Sequence, residues 1–159
     1  MKITVLCVGK IKEKFYVQAL LEYQKRLSRY CDIEIIEVAD EKTKENASEN
    51  EIQIVKDKEG ERMSKHIKED SYVIALAING KMLDSVELSS KIERLGIQGT
   101  SHITFIIGGS LGLSDTILKK ADYLLSFSAM TFPHQLMRVI LLEQVYRSYR
   151  IMHNEPYHK

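Results

Sequence analysis

The stretch Phe105-Ile-Ile-Gly-Gly-Ser-Leu-Gly-Leu113 constrains this chain more than any other, because an apolar strand runs straight into a glycine-rich turn. Glycines there let backbone approach a ligand closely. A second junction of the same kind is Leu125-Ser-Phe-Ser-Ala-Met-Thr-Phe-Pro-His-Gln-Leu-Met-Arg138. It runs from a strand through a loop to a proline suited to the first turn of a helix, where its missing N–H costs nothing. In α/β sheets ligands collect outside the carboxyl ends of the strands. If both junctions lie on one edge of one sheet, they form one site.

The rest of the chain supplies such a sheet. Ile3–Val8 reads as a buried strand closed by Gly9, and residues 12–30 repeat apolar side chains at helical spacing (Phe15, Ala19, Leu20, Tyr23, Leu27). Ile33–Val38 mixes β-branched residues with Glu34 and Glu37, which predicts a strand with one wet face at a sheet edge. Asp40–Asn50 is polar and aperiodic, a loop, and Glu51–Ile67 is a charged helix whose middle Gly60 weakens. Tyr72–Ile78 predicts a strand buried on both faces and broken by Asn79-Gly-Lys81. Asp84 with Glu87 opens the next helix as a capping box, and Gly96 ends it. Ser114-Asp115 caps a short helix, Tyr123–Ser128 is the last strand, and the closing helix runs to about His153. Strands alternating with helices predict an α/β fold, a mostly parallel sheet flanked by helices, in a single domain over residues 1–159.

Two features bear on partners. The closing helix, with Leu136, Val139, Ile140, Leu141, Leu142, Val145, Tyr146 and Tyr149 among others, has almost no polar face. A helix apolar all round needs cover on several sides, so a homodimer is expected, against the alternative of central burial within one chain. Net charge is only +1, yet residues 1–31 carry seven Lys/Arg against two Glu, and residues 32–70 carry seven against thirteen Asp/Glu. That asymmetry fits either a phosphate-facing surface or plain solvated helix. No apolar run of twenty residues predicts a membrane span, and the short apolar start lacks a signal-peptide pattern. Cys7 and Cys31, without CxxC spacing, read as reduced thiols. A cytoplasmic protein is expected.

The site chemistry narrows by exclusion. Gly108-Gly-Ser-Leu-Gly112 is not GxGxxG, Ser128 stands where a ribose-binding acid belongs, and GxxxxGK[ST] is absent. A dinucleotide or nucleotide-hydrolase site is therefore disfavoured. The loop Phe127–Phe132 can offer N–H and C=O groups to an adenine edge, with Met130 and Phe132 shielding its faces, and contains no acid or base. His134 sits at a positive helix end that favours its neutral form. His66 and His102 are expected at the surface, and no histidine or cysteine pair has metal-ligand spacing.

Taken together, Phe105–Leu113, Leu125–Arg138, the long last helix, the start Met1–Lys10, the Asn79-Gly-Lys81 turn and the tail Tyr157-His158-Lys159 resemble the SPOUT (α/β-knot) RNA methyltransferases over essentially the whole chain. The resemblance implies a C-terminal trefoil knot, a homodimer and S-adenosyl-L-methionine as cofactor, held by Leu76, Gly108, Phe127, Ser128, Ala129, Met130, Thr131 and Phe132. It implies as substrate N3 of a pseudouridine in large-subunit (23S) rRNA within the assembled ribosome, with no metal and no membrane. On that reading His158, or His134, assists removal of the imide proton, Arg138 steadies phosphate or developing charge, and Tyr157 stacks on the base. Lys10, Lys12, Lys14, Arg26 and Arg29 become candidate rRNA contacts. Lys159 departs from the arginine of some members but keeps the charge. The alternatives are a non-catalytic RNA- or ribosome-binding protein of the same fold, and a Rossmann-like nucleotide-cofactor enzyme.

Overall fold

A computed structural model describes residues 1–159. Five parallel strands form one sheet: β1 (Lys2–Val8), β2 (Asp32–Val38), β3 (Tyr72–Met82), β4 (His102–Ile107) and β5 (Tyr123–Ser126), in the order β2-β1-β4-β3-β5. Five helices connect and follow them: α1 (Lys14–Leu27), α2 (Glu49–Ser64), α3 (Ser85–Ile97), α4 (Asp115–Lys120) and α5 (His134–Met152).

The two-residue period of β1 divides the core. Ile3, Val5 and Cys7 face a larger cluster with Phe105, Leu141 and Val145, under α1, α3 and α5. Leu6 and Val8 face a smaller cluster with Val73, Ile106 and Ile117, under α2 and α4. Central β4 is buried along its whole length, whereas edge strand β2 is wet at Asp32 and Glu34; Glu37, expected on that wet face, lies on the opposite side toward α5, because three residues along a strand reverse the face. The chain leaves β1 toward β2 on one side and leaves β4 toward β5, beyond β3, on the other. The order therefore reverses between β1 and β4.

Four expectations change. Asn79-Gly-Lys81 does not end β3: the strand continues to Met82 through a bulge in which Leu76 and Lys81 both pair with Leu125. Ile78, far from buried, is 78% exposed on that bulge. Gly80 is required because a Cβ there would lie 2.7 Å from the Leu124 backbone and 2.8 Å from that of Leu125. Gly96 lies inside α3, and Gly99, at φ +93°, makes the left-handed turn after it. His102 is buried, bonded to Thr4 Oγ1 at 2.9 Å across the β1–β4 pair. Burial lowers its pKa. Gly60 does not merely weaken α2; it admits Ser114, whose Oγ would stand 2.4 Å from a Cβ there.

The caps of α3 and α4 fall where expected. Asp84 Oδ1 accepts the Glu87 N–H at 2.7 Å while Glu87 Oε2 accepts the Asp84 N–H at 2.8 Å, and Ser114 caps α4. Both cysteines are free and buried, and no helix is long and apolar enough to cross a membrane. Helix α5 packs against both α1 and α3, so much of its apolar surface is covered within one chain.

Candidate active site

Both junctions do lie on one edge of the sheet. The glycine turn leaves β4, the loop 127–133 leaves β5, and the β3 bulge stands between them, enclosing a cleft of about 640 Å³. That volume suits a cofactor-sized ligand. Leu76, Gly108, Phe127, Ser128, Met130, Thr131 and Phe132 all line it, as does His134; Ala129 belongs to the same loop but faces outward. Ile78 and Asn79 of the bulge, Ser110 of the glycine turn and Met137 of α5 also line the cleft. The Asn79-Gly80 pair was visible in the sequence but reads there as the end of a strand.

Local chemistry explains the shape. Gly112 has φ +88°, and its N–H closes the turn on the Gly109 carbonyl at 3.1 Å. A Cβ on Gly108 would meet the Gly112 backbone and Leu113 Cδ2 at 3.0 Å, so this glycine serves the turn itself as well as the cleft. In the loop, Ser128 Oγ accepts the Met130 N–H at 3.0 Å and Ser126 Oγ donates to the Ser128 carbonyl at 3.1 Å. Every other backbone N–H and C=O of residues 127–132 is left without an intrachain partner. Free donors and acceptors beside apolar Phe127, Met130 and Phe132 match an adenine edge and its faces. The donor set therefore fits S-adenosylmethionine.

The predicted catalytic residues divide into three places. His134 sits in the cleft wall, and its pKa is lowered first by burial and then by the Arg138 charge, with Asp40 opposing. Arg138 is fully buried and already engaged: Nη1 donates to Glu37 Oε2 at 2.7 Å, and Nη2 donates to the carbonyls of Val8 at 2.8 Å and Gly9 at 2.7 Å. It has no free face for substrate phosphate, which corrects the role expected from sequence. Glu37 Oε2 also accepts the Ile11 N–H at 2.9 Å, a link that nothing in the sequence marked.

The tail lies outside the cleft of its own chain. Tyr157 packs edge-on against Tyr146 with centroids 5.0 Å apart, lies under the Arg147 guanidinium at 4.7 Å and donates to Glu143 Oε1 at 3.0 Å. Burial and Glu143 push its phenol up to about 12. His158 is exposed, with Nδ1 3.3 Å from Arg147 Nη1. Of the basic N-terminal residues, Lys10, Lys12 and Lys14 are exposed on or next to the β1–α1 turn, while Arg26 pairs with Glu22 and Arg29 lies near Glu155.

Comparison with known proteins places this geometry. A family model described as Predicted SPOUT methyltransferase matches residues 1–158. The chain belongs to the SPOUT methyltransferase family. Among similar relatives, proteins named Ribosomal RNA large subunit methyltransferase H are 65% identical in Bifidobacterium adolescentis, 60% in Clostridium novyi and 58% in Clostridium kluyveri, each over the full length of both chains. A solved structure titled as a probable methylase family protein from Haemophilus influenzae Rd KW20 superposes with a TM-score of 0.54 at 12% identity, over 96% of this chain and 66% of that one. That likeness concerns the fold alone. As a SPOUT methyltransferase the chain carries its cleft where the parallel sheet ends in glycine turn and loop, which is the part of the sequence that first suggested a site.

Proposed function

We propose that this protein transfers the methyl group of S-adenosyl-L-methionine to N3 of a pseudouridine in large-subunit rRNA within the assembled ribosome, and that it works as a homodimer in the cytoplasm. The observation that carries the reading is the cleft at the ends of β3, β4 and β5, with its unpaired loop backbone between apolar side chains. The relatives named as large-subunit rRNA methyltransferases support the substrate class.

When bound, S-adenosylmethionine supplies an electrophilic methyl on a sulfonium, whose C–S bonding pair leaves with the sulfur as the acceptor nitrogen gains the methyl. The chain must then hold the base in line and take the imide proton. Leu76, Gly108 and the loop Phe127–Phe132, Ala129 included, hold and orient the cofactor. His134 stands in the wall of the same cleft, a neutral imidazole able to accept a proton. His158 and Tyr157, remote from the cleft in their own chain, serve the site of the second protomer. Exposed Lys10, Lys12 and Lys14 supply phosphate contacts beside the cleft, with Arg26 and Arg29 further along α1.

Calorimetric titration with S-adenosylmethionine, with NADH as control, tests the cofactor assignment. One site per chain for S-adenosylmethionine and no heat with NADH are expected. Gly108→Val, whose side chain would press on Gly112 and Leu113, should weaken binding by at least about tenfold while circular dichroism stays native. A signal with NADH alone would replace this reading by the nucleotide-cofactor one.

A further inference from the structure

We infer that Arg138 is a positioning residue: with Glu37 it locks the β1–α1 turn against the first turn of α5, and so holds the His134 imidazole in the wall of the cleft beside the lysines of that turn. The inference rests on the methyltransferase reading for its purpose, but its geometry stands by itself.

Three segments far apart in sequence meet at one guanidinium. Arg138 lies one helical turn past His134, on the same side of α5. Its Nη2 takes both carbonyls at the end of β1, Val8 and Gly9, and its Nη1 takes Glu37 from edge strand β2. Glu37 Oε2 closes the circuit by accepting the Ile11 N–H on the far side of the turn. Gly9 has φ +86°, and a Cβ there would lie 3.9 Å from His134 Nε2 and 4.0 Å from Arg138 Nη2. A side chain at Gly9 would reach both groups, so the imidazole and the guanidinium stand on the same side of the turn, and the guanidinium touches it directly. Lys10 projects from the braced turn and Lys12 follows it, both exposed.

Such a brace costs a buried charge, which a purely apolar contact would avoid. Its Nε finds no partner, so the fork is spent on Glu37 and the two carbonyls rather than on general solvation. What this arrangement provides, and an apolar one would not, is a fixed backbone turn and a fixed positive charge behind one face of His134. The groups facing His134 are Arg138 on its own helix and Asp40 past the end of β2, with Glu37 behind Arg138. Cys7 of β1, also beside Arg138, is a neutral thiol pushed up to about 12 by burial. The glycine turn 108–112 contributes no ionisable group. Arg138 and burial together lower the His134 pKa, which favours an uncharged imidazole at neutral pH.

The test uses the protein alone and needs no turnover. Imidazole Cε1 resonances are followed by NMR from pH 5 to 8, with His134 assigned by a His134→Asn variant. Glu37→Gln removes the counter-charge and should shift the His134 midpoint down. Arg138→Met should shift it up, and Arg138→Lys, which keeps the charge but not the fork, should leave it low while amide exchange of Gly9–Ile11 accelerates. In ribosome methylation Arg138→Lys should lower kcat by up to roughly a hundredfold with the cofactor Kd unchanged. If Glu37→Gln, the mildest change, and Arg138→Lys leave both the His134 midpoint and turn exchange as in the wild type, the brace does not act on the site and the inference fails. That failure with cofactor binding intact would overturn the brace and spare the methyltransferase reading. Shifted midpoints without cofactor binding would do the reverse.

Discussion

Glycine is needed in this molecule where backbones meet, and space decides what each substitution does. Gly80 has the Leu124 and Leu125 main chain 2.7–2.8 Å from where a methyl group would stand, and main chain cannot rotate aside. Gly80→Ala should therefore destabilise by about 1–3 kcal/mol and distort the bulge that lines the cleft. Gly96, inside α3, has only the flexible end of Met1 at 3.5 Å. Gly96→Ala should stabilise by roughly 0.5–1 kcal/mol through lower unfolded-state entropy. Chemical denaturation of the two variants should move their midpoints in opposite directions. The sequence alone makes both residues look like breaks in an element. Only the neighbouring chain shows that Gly80 is a contact and Gly96 an ordinary helical position.

At the scale of elements, period and caps were legible because they are local. The mix of β-branched residues with Glu34 marks β2 as an edge strand, and Asp84 with Glu87 marks the start of α3. Ser85, the first residue of α3, also ties that helix to α5, its Oγ donating to Gln144 Oε1 at 2.7 Å. Asp84→Ala removes the side-chain half of the capping box, leaving the backbone N–H of residue 84 on Glu87, and should cost about 1 kcal/mol, a fall in Tm of roughly 2–4 °C, with cofactor affinity unchanged. Loss of cofactor affinity in that variant would mean that α3 shapes the cleft. What local signals could not reveal is pairing over distance. His102 looks like a surface residue until β4 lies beside β1 and Thr4, and Arg138 looks like a free cation until Glu37, 101 residues away, is brought to it. The continuation of β3 through Asn79-Gly80 was hidden for the same reason, because β5 supplies the partner.

Over the whole molecule, one sheet edge gathers the ends of strands that are scattered along the chain, so a small protein presents an apolar-lined cleft, a histidine in its wall and exposed lysines together. Every residue of α5 from His134 to Met152 is at least half-shielded within one chain, and its apolar side chains continue to the tail that carries Tyr157 and His158. The proposed dimer, in which the tail serves the partner's cleft, requires a second copy to pack so that this tail reaches that cleft. The near-zero net charge is no obstacle, because the first 31 residues carry seven Lys/Arg against two Glu. The central claim is tested most directly by incubating the protein with methyl-labelled S-adenosylmethionine and assembled ribosomes, then digesting the large-subunit rRNA and identifying the labelled nucleoside by mass spectrometry. The account predicts label on a single nucleoside, pseudouridine methylated at N3, and much less on protein-free rRNA. Ribosomes that bind the protein but take up no label, or label on any other nucleoside, would contradict it.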